Sequence, residues 1–257
     1  MRISAIVDLS SLDYPKVPSS VVFFSDCNMK CGYCQNYDHM QERMQELTAE
    51  QIFNGMDRMF SEAIVISGGE PTLQLDGVKE LLIIARENNL KTKLDTNGTN
   101  PEAVKELLNE NLLDYVAMDV KCGFDNYLKF TNYKNENIEN KSEEEFKPIN
   151  DKFKEKMKQN ILKIIKYCKD AGVFIECRTT YIPQEISNTD IEEIAKIVKD
   201  ADLYAIQQYD NEHACSEEYK EMKPATDDEL LNVGKLAKKY HNNVVVRGLA
   251  GEIVDLE

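Results

Sequence analysis

Three cysteines, Cys27, Cys31 and Cys34, stand within eight residues, directly after the apolar run Val21-Val22-Phe23-Phe24. Thiols crowded at the end of a buried strand are metal ligands by their chemistry. Structural zinc takes four ligands, usually as two separated Cys or His pairs, and no second CxxC or HxxxH occurs elsewhere in the chain. Zinc is therefore the weaker reading. A [4Fe-4S] cluster also has four corners, normally all filled by Cys, so three thiolates leave one iron with an open position that can bind a substrate. Three buried structural thiols are the bland alternative.

The elements around this loop must carry it to a common place with the other chemistry. Residues 3–7 read as a short strand, and 8–15 as a turn broken at Pro15. Ser19 to Phe24 reads as the first central strand, apolar on both faces as in a parallel sheet covered by helices. Thr48-Ala49-Glu50-Gln51 is a capping box opening a helix to about Phe60. Strand and helix then alternate: a strand at 63–67, a helix burying Val78, Leu81, Leu82 and Ala85, and a strand at 92–95. Asn100 caps the next helix with Pro101 at its first position, before a strand at 115–120 and a helix near 150–171. A strand at 173–182, a helix with Ile191, Ile194, Ala195 and Val198 on one face, and a strand at 203–206 follow. A helix capped by Thr226 and ending near Tyr240, and a strand at 244–246, close the series.

Such alternation implies βαβ units and a parallel sheet. Six main repeats suggest an α/β fold of the incomplete (β/α)6 barrel kind, open on one side. The chain of 257 residues, 42% of them hydrophobic, is long enough to be one such domain, 1–257. Residues 133–147 form a strongly polar insertion, read as a solvated loop. Ligands of parallel barrels gather at the C-terminal strand ends. There the sequence places the cysteines, then Gly68-Gly69-Glu70-Pro71, Asp95-Thr96-Asn97-Gly98, Asp119-Val120-Lys121 and Arg178-Thr179-Thr180.

Composition narrows the partners. A formal net charge of -15 disfavours a nucleic-acid partner. No stretch is apolar over the roughly 18 to 20 residues of a membrane span, and Met1-Arg2-Ile3-Ser4 does not open a signal peptide, so a cytoplasmic location is expected. Seven cysteines, an odd number with three clustered, fit a reduced compartment. Cys122, Cys168, Cys177 and Cys215 read as small buried hydrophobes.

The spacing CxxxCxxC, with Tyr33 inside Cys31-Gly32-Tyr33-Cys34, resembles the signature of the radical S-adenosylmethionine (radical SAM) superfamily. Gly68-Gly69-Glu70, one βα unit later, is similar to that family's GGE motif. The resemblance implies a partial (β/α)6 TIM-like barrel of the radical SAM type, one [4Fe-4S] cluster on Cys27, Cys31 and Cys34, and S-adenosylmethionine on the open iron. It implies one-electron cleavage to a 5'-deoxyadenosyl radical. It also implies that Gly68, Gly69 and Glu70 hold the methionyl ammonium, that Tyr33 meets adenine, and that Asn36 lies near the cofactor.

A narrower resemblance covers nearly the whole chain. Val7-Asp8-Leu9-Ser10 with Asp13-Tyr14-Pro15, Phe23-Phe24-Ser25-Asp26-Cys27-Asn28, Cys34-Gln35-Asn36, Gly68-Gly69-Glu70-Pro71-Thr72, the Asp95-Thr96-Asn97-Gly98 turn and Arg178-Thr179-Thr180 together look like the activating proteins of anaerobic ribonucleoside-triphosphate reductases, and that turn followed by Met118-Asp119-Val120-Lys121 resembles a pattern of the activating enzymes of glycyl-radical proteins. Lys16, where members of that family often carry Gly, is a departure. In that family the equivalents of Asp95, Thr96 and Lys121 contact the cofactor's ribose and carboxylate, Arg178 would position the carboxylate, and Asp95 with Asp119 can hold a monovalent cation. The implied activity is abstraction of a glycine hydrogen from a partner, anaerobic ribonucleotide reductase, with an electron donor such as flavodoxin or ferredoxin. Alternatives are activation of another glycyl-radical enzyme of the pyruvate formate-lyase type, a radical SAM reaction on a small molecule, and a cluster-bearing electron carrier.

Overall fold

The structure, a computed structural model, describes residues 1–36, 44–133, 141–249, 253–254 and 256. The chain divides into two compact units. The first comprises Met1–Cys27, Asn36–Met118 and Lys166–Ile175; the second comprises Asn28–Gln35, Asp119–Ile165 and Glu176–Glu257.

In the first unit, strands β1 (Arg2–Ser10), β2 (Ser19–Phe24), β3 (Gln45–Glu46), β4 (Ala63–Gly68), β5 (Lys91–Thr96) and β6 (Tyr115–Asp119) lie in the order β3-β1-β2-β4-β5-β6. From β2 onward the pairs are parallel, with Val21 opposite Val65, Val65 opposite Lys93 and Leu94 opposite Val116. β1 is antiparallel to β2. It runs to Ser10, past the turn expected at residue 8, because Ser10 still pairs with Ser19; the break comes where the Ser10 hydroxyl turns to Asp13.

The helices are made by the signals the sequence carries. Thr48 and Gln51 form the reciprocal cap of α1 (Ala49–Gly55). α2 (Leu75–Glu87) buries Val78, Leu81, Leu82 and Ala85, one stripe at helical spacing. Asn100 accepts from the Ala103 N–H to start α3 (Pro101–Asn109). Tyr14, Val21, Ala63, Val65, Tyr115 and Ala117 form a buried cluster on one face of this sheet.

In the second unit, β7 (Phe174–Tyr181, from Glu176 onward), β8 (Leu203–Gln208) and β9 (Val244–Arg247) are parallel, and β10 (Ile253–Val254) is antiparallel to β9. Its helices include α4 (Tyr127–Thr131), most of α5 (Glu143–Ala171), α6 (Asn188–Ile197), α7 (Glu217–Glu221) and α8 (Asp227–Ala237). α5 begins earlier than expected, so residues 143–147 of the polar segment are helical, while 134–140 lie outside the described residues. The reason is a cap: Ser142 Oγ accepts from the Glu145 N–H and the Glu145 carboxylate accepts from the Ser142 N–H, which carries the helix through Pro148. No helix among the described residues is long and apolar enough to cross a membrane.

Candidate functional site

The cysteine loop leaves β2 directly. Cys27, Cys31 and Cys34 form no disulfide. Within the second unit the loop is shaped by a turn in which Cys34 N–H donates to Cys31 O at 3.1 Å. Cys31 Sγ lies 3.9 Å from Thr131 O at the end of α4. The segment entering α7 braces the same loop: Ser216 N–H donates to Gly32 O at 3.1 Å, and Cys215 Sγ stands 3.2 Å from that oxygen. A Cβ on Gly32 would lie 2.5 Å from the Tyr219 ring, so this position is kept bare by tertiary packing.

Cys122, Cys168 and Cys177 are buried as expected. Cys215 is not: it is half-exposed and turned onto the cysteine loop. Its role in bracing that loop has no sequence signal.

Tyr33 packs between Phe130 and Tyr219, with ring centroids 5.1 and 6.1 Å away. Its buried hydroxyl has no hydrogen-bond partner among the described residues, and burial pushes its pKa well above the tyrosine value. A buried hydroxyl left unmet is costly in a folded chain, and here it sits inside the cysteine motif. Lys121 Nζ lies 6.0 Å from the Tyr33 ring and 2.8 Å from Asp119 Oδ2, while Arg178 Nε donates to Asp119 Oδ1 at 2.8 Å. Burial works against the Asp119 charge, but Arg178 and Lys121 hold its carboxyl well below the usual range. Burial likewise opposes the Lys121 ammonium; Asp119 first, then Cys31, keep it charged.

The first unit builds the glycine turn. Gly68 ends β4 at φ +107°, and a Cβ there would fall 2.3 Å from Phe24 N and 2.5 Å from Phe24 O, both backbone atoms. Alanine fits neither the dihedral nor the space. We expect Gly68→Ala to destabilise the protein by about 3 kcal/mol or more, read as a lower denaturant midpoint at unchanged slope.

Beyond Gly68 the turn is pinned: Gly69 N–H donates to Phe24 O at 2.8 Å and Glu70 N–H to Asp26 O at 2.6 Å. Asn36 Nδ2 donates to Gly68 O at 3.4 Å. Glu70 is fully buried. Its Oε1 accepts from Thr72 N–H, Thr72 Oγ1 and Thr96 Oγ1 at 3.2, 2.5 and 2.9 Å, and its Oε2 from Asn97 N–H at 2.6 Å. Among the described residues every partner of this carboxylate is a neutral donor, and Oε2 retains acceptor capacity. Asp95 accepts from Ser67 Oγ at 3.0 Å and pairs with Lys93 Nζ at 2.7 Å.

Within the first unit the structure thus joins Glu70 to Thr96, Gly68 to Asn36, and adds Asn97, Ser67 and Lys93, which the motifs did not single out. Lys93 was readable in one respect, standing two residues before Asp95 on a strand and so on the same face. Within the second unit it joins Tyr33, Lys121, Asp119 and Arg178.

The family signature described as the radical SAM superfamily matches residues 21–201. The chain belongs to the radical SAM superfamily. It is 48% identical over 249 residues, 97% of each chain, to a Methanocaldococcus jannaschii protein provisionally named a glycyl-radical enzyme activating enzyme. A pyruvate formate-lyase-activating enzyme of Clostridium pasteurianum is 31% identical over 150 residues, 50% of this chain and 62% of that one. Among solved structures, that of TYW1 with a lysine-pyruvate adduct bound is similar in fold at TM-score 0.58 and 15% identity, covering 88% of this chain and 75% of its own. The expected α/β fold, a partial barrel of the radical SAM type, is therefore the fold of this chain. Within the superfamily it stands with the glycyl-radical enzyme activating enzymes and is a radical SAM enzyme.

The donor set suits the group this superfamily carries. Three cysteines that form no disulfide match a cluster that keeps one iron open; taken separately, the second unit's buried Tyr33 hydroxyl is a polar provision for a ligand and the first unit's bare Gly68 turn a steric one.

Proposed function

We propose that the chain is a single radical SAM domain that installs a glycyl radical on anaerobic ribonucleoside-triphosphate reductase. Two observations carry the reading, each taken by itself: three cysteines within eight residues, none in a disulfide, and a fully buried Glu70 on the glycine turn whose partners among the described residues are all neutral donors. The M. jannaschii relative's name supports the glycyl-radical class.

In this reading Cys27, Cys31 and Cys34 hold the [4Fe-4S] cluster. When bound, cluster and S-adenosylmethionine together supply the one-electron chemistry that removes a glycine hydrogen from the partner. The residues of the chain bind and orient. The backbone carbonyls of Gly68 and Gly69, backed by the Glu70 carboxylate, take the methionyl ammonium, because an ammonium needs oxygen acceptors and a nearby negative charge. Arg178 and Lys121 take the carboxylate, with Asp119 holding both cations in place. Tyr33 offers its ring and free hydroxyl to adenine; Asn36 steadies the glycine turn; Asp95 and Thr96 face the ribose. The reductant is a one-electron donor such as flavodoxin or ferredoxin.

The test is anaerobic incubation of the reconstituted protein with a reductant, S-adenosylmethionine and the anaerobic ribonucleotide reductase of the same organism. The expected result is 5'-deoxyadenosine together with a glycyl-radical doublet in the reductase's electron paramagnetic resonance spectrum. A doublet only on a pyruvate formate-lyase type enzyme reassigns the partner. 5'-Deoxyadenosine without a glycyl radical on any such enzyme overturns the activase reading in favour of a small-molecule substrate.

A further inference from the structure

The first unit buries an ammonium that none of the expected chemistry uses. Lys93 on β5 is 2% exposed. Side chains two apart on a strand share a face, which sets Lys93 beside Asp95. Its Nζ donates to Asp95 Oδ1 and to the Asp13 carbonyl oxygen, each at 2.7 Å. The Tyr115 ring lies 5.5 Å from the same nitrogen, and Tyr14 packs on that ring with centroids 5.5 Å apart. The second oxygen of Asp95 accepts from Ser67. A carboxylate, a peptide oxygen and an aromatic face are what a small monovalent cation seeks when it leaves water; here they enclose a nitrogen belonging to the chain. This also gives the segment Asp13-Tyr14 a physical task, since the Asp13 carbonyl accepts from the ammonium and the Tyr14 ring packs on Tyr115.

We propose that Lys93 is the built-in counter-cation of Asp95, a positioning residue that fixes this carboxylate in one orientation and makes the protein independent of a monovalent cation from solution. A sodium or potassium ion at Asp95 would have to displace an ammonium whose stem is already buried. Asp119, the other carboxylate expected to share such an ion, carries two protein cations of its own in the second unit. The inference rests on the proposed function only in taking Asp95 to face the cofactor; the ion pair is testable without cofactor.

The experiment measures the melting midpoint of the cluster-free chain in sodium, potassium, methylammonium and tetramethylammonium chloride at matched ionic strength. The wild type is expected to melt at the same temperature in all four. Lys93→Ala is expected to melt about 10 °C lower in tetramethylammonium and to recover much of that loss in methylammonium, whose ammonium group enters the space the side chain vacates. Lys93→Met, which fills that space, is expected to show no recovery. In reconstituted protein, equilibrium dialysis of S-adenosylmethionine should show wild-type affinity indifferent to the salt. Lys93→Ala affinity should be reduced about thirtyfold in tetramethylammonium and restored by methylammonium.

A wild-type midpoint or affinity that requires sodium or potassium overturns the proposal, as does a folded Lys93→Ala that methylammonium leaves unchanged. If Lys93→Ala does not fold, the wild-type salt series decides by itself. Failure of the wild type to bind S-adenosylmethionine in any salt counts against the proposed function, while the melting series still judges the ion pair.

Discussion

Alanine in place of Cys27, Cys31 or Cys34, taken one at a time, should empty the protein of iron. Anaerobically reconstituted wild type is expected to hold about four irons per chain, the content of a [4Fe-4S] cluster, and each variant close to none. The size of the effect follows from the count. Three thiolates serve three corners, so the loss of one leaves two irons without a protein ligand. Cys122, Cys168 and Cys177 are buried small side chains. Cys215 is the thiol nearest to becoming a substitute, since it already stands against Cys31 O and Gly32 O. Cys168→Ala and Cys215→Ala should both keep their iron. Iron and sulfide analysis decides the matter, and a fully occupied zinc site that takes up no iron after anaerobic purification would sink the cluster reading.

The next largest effect is expected at Glu70. Truncation to alanine strips four donors, two backbone and two hydroxyl, of their common acceptor in a fully buried place. Unsatisfied buried donors cost about 1 to 3 kcal/mol each, with partial relief by relaxation, so roughly 4 kcal/mol of stability should go. Because the same carboxylate ties the glycine turn after β4 to the turn after β5, S-adenosylmethionine binding should weaken about a hundredfold, near 3 kcal/mol, while the iron content holds. Unchanged affinity would leave Glu70 a purely structural role.

The acid side of the stability curve gives a second reading of this residue. Burial raises the Glu70 pKa above the ordinary 4.5, against the opposing bonds from Asn97, Thr72 and Thr96. The folded chain then keeps this proton to higher pH than the unfolded chain. Its contribution to stability is therefore complete below 4.5 and is lost as the pH rises through the native value. Glu70→Gln removes the titration, so the stability of wild type relative to this variant should fall as the pH rises out of the acid range, measured by urea unfolding at a series of pH values.

The parts of this picture that sequence reveals are those set by neighbours in the chain. The helix caps at Thr48, Asn100 and Thr226 and the stripe of Val78, Leu81, Leu82 and Ala85 are local facts, and they form as read. So is the spacing of the three cysteines. Ser142 and Glu145 carry a cap signal of the same kind, three residues apart, inside the strongly polar segment read as a solvated loop, and α5 starts there rather than near residue 150. What the sequence hides depends on partners distant along the chain. Nothing near Cys215 or Tyr219 announces that they press on Gly32, and nothing near Asp13 announces that its carbonyl receives Lys93. The countercharge of Asp95 comes from strand alternation, as Lys93, while Asp119 is countered by Lys121 in its own motif and by Arg178 on β7.

The Tyr219 ring against Gly32 has an evolutionary consequence. Two positions far apart in the chain share one small volume, so the size of one sets the size allowed at the other. Lineages that shrink the aromatic residue become free to place a methyl group inside the cysteine motif, and lineages that keep it do not. The motif's interior glycine is thus half of a pair, and a library that randomises the loop while leaving position 219 fixed will keep glycine at position 32, whatever it samples elsewhere in the loop.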